Sequence, residues 1–163
     1  MGPTWSLRGN TRRVVEWSLL LLVILVVAAV FARQFRYVQG QGELAALKTT
    51  LGALRTALLL DHLKQAVDDP AALRPLQRNP FLLLAPVPAN YAGALASATG
   101  QALRPGTWVF DAYCHCIGYL PLYPYALDLV SDAPALWFRI SAPPGPLQIS
   151  AMQATLWQGQ SLD

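Results

Sequence analysis

Three adjacent residues, Cys114-His115-Cys116, carry the side chains of this 163-residue chain best equipped for chemistry. Two thiols and an imidazole are donors that zinc and copper accept, yet a tetrahedral structural site draws four ligands from separated positions, and three neighbours cannot readily turn to one ion. The second histidine, His62, lies far upstream. A disulfide across one intervening residue closes a small ring, which makes it reducible rather than structural. In an oxidising compartment the same cysteines could link two chains instead. The plainest reading is a hairpin tip that happens to hold two thiols. Metal, disulfide and bare tip all remain open.

No other arrangement points to catalysis. Asp68-Asp69 is a carboxylate pair at a helix end, and Asp128 and Asp132 accompany Ser131 with no histidine near them in sequence. There is no glycine-rich phosphate loop after a strand and no nucleophile elbow. Trp108, Trp137 and Trp157 are read as filling a small core or a subunit contact. The chain is therefore expected to be neither an enzyme nor a cofactor carrier. Its net charge of +3 comes from scattered arginines, so no nucleic-acid partner is expected either.

The elements that must position these residues begin with an unbroken apolar run, Leu19 to Ala32. Counted from Val14, the run extends for about 19 residues, or about 28 Å as a helix, against a hydrocarbon core of about 30 Å. Arg8, Arg12 and Arg13 precede it and Arg33 and Arg36 follow, a distribution that leans towards a cytoplasmic N-terminus. A lipid bilayer is the first partner this implies. The competing reading is a cleaved secretory signal ending at Val30-Phe31-Ala32, before Arg33.

Beyond the run, Leu44, Leu47, Leu51, Leu54 and Leu58 alternate by three and four residues, the spacing of one apolar seam on a helix. Leu63 and Val67 extend the apolar side, while Lys48, Thr49, Thr50, Arg55 and Asp61 belong on a wet face. The seam can cover the chain's own sheet or pack against neighbouring helices. Gly40 and Gly42 predict a bend or a melted turn between anchor and seam, and Asp69-Pro70 ends the helix. With 54% hydrophobic and 13% charged residues, the chain fits one span and one small domain.

The remainder reads as short strands: Thr107 to Asp111, Ile117 to Tyr125, Ala135 to Ile140 and Leu147 to Trp157. Short connections predict antiparallel pairing, with the distal half of the helix covering one face. The stretch from Asn79 to Gly93 is too proline-rich for regular structure, apart from a short helical turn at Phe81 to Leu84.

This order of parts resembles the type IV pilins and the pseudopilins of type II secretion. The likeness covers nearly the whole chain in architecture. Arg12-Arg13-Val14-Val15-Glu16-Trp17-Ser18-Leu19-Leu20 is the stretch similar to the family's processing site and helix start. Asn90-Tyr91-Ala92-Gly93, followed by Pro105 to Asp111, is similar to sequences of minor pilin-like proteins. Where the family carries a glycine before its cleaved bond this chain has Thr11, with Gly9 two residues earlier and Arg12 next. The resemblance implies that Glu16 pairs with the N-terminal amine of an adjacent subunit and so sets the stagger of a filament. The residues themselves offer Arg12 on the same helical face, or headgroup contact by snorkelling. If the leader is retained, Arg12 or Arg13 of a neighbour takes the amine's place.

The expectation is an α+β, pilin-like fold: a basic leader (1–13), a transmembrane helix (14–35), its amphipathic continuation (36–69), a loop-rich connector (70–106) and a small antiparallel β domain (107–163). The resemblance implies a single-pass subunit of a bacterial inner membrane, its C-terminal domain periplasmic. Its partners would be other pilin or pseudopilin subunits and an inner-membrane assembly platform. The alternative is an envelope binding protein, anchored or released by signal cleavage, that does not polymerise. A weaker third is a membrane-tethered thiol or metal protein using Cys114 and Cys116.

Overall fold

A computed structural model describes residues 7–68, 79–95, 103–128, 135–141 and 147–162. Residues 1–6 of the basic leader, the helix stop at Asp69-Pro70, and Ser131 with Asp132 lie outside the described residues. The chain divides into two compact units, Met1–Gln39 and Gly40–Asp163. The architecture is α+β.

One helix, α1 (Leu7–Asp68), accounts for the first 62 described residues. No proline stands between Pro3 and Pro70, so every turn keeps its amide donor. The melted turn expected at the two glycines is absent, because α1 is helical through both Gly40 and Gly42. Gly40 has a packing role instead: a Cβ there would lie 2.4 Å from Gln158 Nε2 and 2.9 Å from the Ala126 Cβ. The glycine marks a close approach.

Among the described residues eight short strands follow: β1 (Tyr91–Leu95), β2 (Thr107–Asp111), β3 (Cys116–Leu120), β4 (Leu127–Asp128), β5 (Leu136–Ser141), β6 (Gln148–Ala151), β7 (Leu156–Trp157) and β8 (Gln160–Ser161). They form a five-stranded sheet in the order β1-β2-β3-β5-β6 and a three-stranded sheet in the order β4-β7-β8. The expected all-antiparallel sheet is in fact mixed, since β1 runs parallel to β2 while the other pairs are antiparallel. Within the stretch expected to be irregular, the 3-10 turn Pro80–Leu83 matches the short helical turn, but Tyr91 already opens a strand. The run expected from Ile117 to Tyr125 stops at Leu120, where Pro121 and then Pro124 remove ladder donors. The run expected from Leu147 to Trp157 is split between the two sheets as β6 and β7.

The core lies between the seam of α1 and the five-stranded sheet. Leu44, Leu47, Leu51, Leu54 and Leu58 are all buried with Trp108, Phe110, Ile117, Leu136, Phe138, Ile149 and Trp157. Leu136 and Phe138 share the inward face that their alternation predicts, with Ile140 packed beside them. Trp108 sits at the centre, its ring 4.6 Å from Tyr119 and 6.3 Å from Phe138. Leu63 and Val67 do not join the core: both are exposed, beyond the last turn at which the helix faces the sheet.

Candidate functional site

Three regions carry the residues singled out in the sequence. The first is the apolar part of α1, where every large hydrophobic from Val14 to Phe31 is exposed. A helix this long and apolar, with none of that segment buried, is a candidate membrane span. Trp17 and Tyr37 stand about 30 Å apart along the axis, the separation of two interfacial aromatic belts across a hydrocarbon core. Between them, Val27, Ala28, Phe31 and Ala32 line one face of a shallow groove. Ala28 and Ala32 are one turn apart, a spacing that lets two helix backbones approach in lipid.

At the start of this segment the structure brings Arg12 and Glu16 together. Arg12 Nε donates to Glu16 Oε1 at 3.1 Å, with both side chains largely exposed. The order is the weaker one for an (i, i+4) pair, because a cation N-terminal to an anion opposes the helix dipole. Such a pair is easily exchanged for another. Arg13 lies instead beside Trp17 and Leu21, along a different groove.

The second region is the seam, which is fully occupied by the chain's own sheet. Its amide and carboxylate neighbours fix the helix in place. Glu43, buried beside Leu44, accepts hydrogen bonds from Tyr119 Oη at 2.8 Å, Leu122 N at 2.6 Å and Tyr123 N at 3.0 Å. Trp157 Nε1 donates to the Gly40 carbonyl at 2.9 Å, Gln41 Nε2 to Gln158 Oε1 at 2.6 Å, and Arg55 Nη2 to the Ile149 carbonyl at 2.8 Å. Sequence reasoning missed Glu43 and Gly40 as anchoring residues. The signal for Gly40 was present: it stands four residues before Leu44, in phase with the seam, so the position faces the core.

Burial first, then the hydrogen bond to Glu43 and its charge, push the Tyr119 phenol well above its ordinary value of 10.0. The phenol therefore remains a donor through neutral pH. A group whose folded pKa is raised stabilises the fold fully below its unfolded value and loses that contribution as pH rises past it. The stability advantage of the native chain over Tyr119→Phe is accordingly expected to be constant below about pH 10 and to shrink above it. Denaturant unfolding of both proteins from pH 8 to pH 11 checks this; an advantage that holds or grows above pH 10 refutes it.

The third region is the tip between β2 and β3. Asp111 and Cys116 face each other at the end of the ladder, and Ala112 to His115 form the turn. Asp111 Oδ1 accepts from Tyr113 N at 2.7 Å and from Cys114 N at 3.3 Å, holding the turn's amides. His115 adopts φ of 52°, a left-handed conformation that histidine tolerates better than most residues. Cys114 and Cys116 are joined by a disulfide, and their exposure differs sharply: Cys114 is exposed while Cys116 is only 2% exposed. Among the described residues, no group of three or more histidine, cysteine, aspartate or glutamate side chains is placed to hold a metal ion.

No family model, curated protein or solved structure matches this chain.

Proposed function

We propose that the chain is a single-pass, pilin-like structural subunit, anchored in a bacterial inner membrane and assembling with like subunits of a type IV pilus or type II secretion pseudopilus through α1. The observation that carries this reading is the continuity of α1: one helix holds an exposed apolar segment and then a leucine seam that fastens a small sheet. A simple tether needs no such coupling. A helix that carries both segments is suited to a subunit that assembles with its like through that helix.

The weak Arg12–Glu16 pair suits the same role. Glu16 can exchange its partner within the chain for Arg12, Arg13 or an amine of an adjacent subunit, with little lost in the exchange. In this reading the N-terminus is cytoplasmic, the 40–163 unit is periplasmic, and other subunits and an assembly platform are the partners.

Because the seam is buried within the chain, contacts between subunits must use the exposed faces of α1. Single cysteines at Leu22 and Leu60, both exposed, in a Cys114→Ser/Cys116→Ser background test this directly. Membrane crosslinking in the native host is expected to give ladders of the chain with itself or with other pilin-like subunits. Monomer alone at both positions would reject assembly in favour of an anchored protein that does not polymerise.

A further inference from the structure

The disulfide at the β2–β3 tip does little to hold the fold. A link that spans one intervening residue removes little entropy from the unfolded chain, so it stabilises far less than a link closing a long loop. The hairpin is already secured by five paired positions from Thr107–Leu120 to Asp111–Cys116, and by the two amides held on Asp111. The link therefore asks for another explanation.

Its surroundings are unequal at the two sulfurs. Cys114 is exposed at the tip, next to Tyr113, which is 82% exposed. Cys116 is buried within the ladder, between Asp111 on β2 and Arg139 on β5, its directly paired neighbours. Paired residues in adjacent strands project to the same face, so the permanent charge of Arg139 and the carboxylate of Asp111 both flank Cys116. The Asp111 carboxylate is engaged by the turn amides, and the other nearby titratable groups, Tyr113 and His115, lie in the turn itself.

We propose that this tip is a thiol–disulfide exchange site whose substrate is a dithiol: the partner's thiolate attacks Cys114 Sγ, and Cys116 is the leaving thiol. In the first step a bond forms between the partner's sulfur and Cys114 Sγ while the Cys114–Cys116 bond breaks. The electron pair passes to Cys116 Sγ, which then takes a proton from water. In the second step the partner's other thiolate attacks its own sulfur in the mixed disulfide, and Cys114 leaves and is protonated. The partner ends as a disulfide, oxidised by two electrons, and the tip ends as two thiols. Exposure selects the sulfur attacked, and the guanidinium of Arg139 favours the departing thiolate by lowering the basicity of Cys116. This site is independent of the assembly role proposed above, since it uses neither α1 nor Glu16.

The test uses the full chain in detergent micelles, with dithiothreitol as the dithiol and timed alkylation read by mass. Reduction is expected to proceed in the folded protein at a rate unaffected by urea below the unfolding transition. Arg139→Gln is expected to slow it about 3-fold at neutral pH. In Cys116→Ser the remaining Cys114 is expected to react with an aromatic disulfide reagent at least about 10-fold faster than the Cys116 left in Cys114→Ser. Reduction that occurs only as the chain unfolds would overturn the proposal. So would an Arg139→Gln rate equal to that of the native chain, or faster reaction at Cys116 than at Cys114.

Discussion

Replacing Glu43 with alanine is expected to destabilise the 40–163 unit by about 4 kcal/mol, the largest effect of any single polar substitution described here. The carboxylate serves three donors at once: the buried Tyr119 hydroxyl and the partly buried amides of Leu122 and Tyr123. Hydrogen bonds to a charged acceptor contribute about 1.5–3 kcal/mol each, and a donor left unpaired in the interior adds its desolvation cost. Glu43→Gln keeps one acceptor oxygen at nearly the same place, so it is expected to cost roughly half as much. Denaturant titration of the full chain in micelles, followed by tryptophan fluorescence, measures both. Equal stability of Glu43→Ala and the native chain would show that the three donors find other acceptors.

The second large effect separates the two sides of α1. Leu54 is 0% exposed at the middle of the seam, and Leu54→Ala is expected to cost about 3 kcal/mol through lost burial and the cavity left behind. Leu60, less than two turns further on, is 61% exposed, and Leu60→Ala is expected to change stability by less than about 0.5 kcal/mol. The same titration compares them. If Leu60→Ala is as damaging as Leu54→Ala, the covered face of the helix is assigned wrongly.

What could be read from the residues followed from periodicity. The five leucines repeat in step with the helix, so their common face was evident before their partners were known, and the strand at Thr107–Asp111 announced itself by its β-branched and aromatic residues. What could not be read depended on distant backbone. Tyr91–Leu95 has a glycine at its centre and prolines upstream, and it becomes a strand only because β2 offers it a parallel edge: Trp108 N donates to the Asn90 carbonyl and Ala112 N to the Leu95 carbonyl. Glu43 was hidden for the same reason. Two of its donors are amides, which every residue carries, and they lie 79 and 80 positions away in sequence. At Gly40 a local rule competed with a tertiary one. Glycine weakens an isolated helix, but here the missing side chain admits Gln158 and Ala126. The disulfide was one of three readings of Cys114-His115-Cys116, and the residues alone could not choose among them.

The contact between Trp157 and Gly40 joins positions 117 residues apart. A ribosome adds about 5–20 residues per second, so the apolar segment of α1 emerges well before Trp157 exists. For several seconds the leucine seam is a greasy stripe without its cover. Long-range closure of this kind is slow and leaves apolar surface open to wrong partners in the interval. Biogenesis of this chain is thus a race between late-arriving strands and any other apolar surface for one side of a single helix.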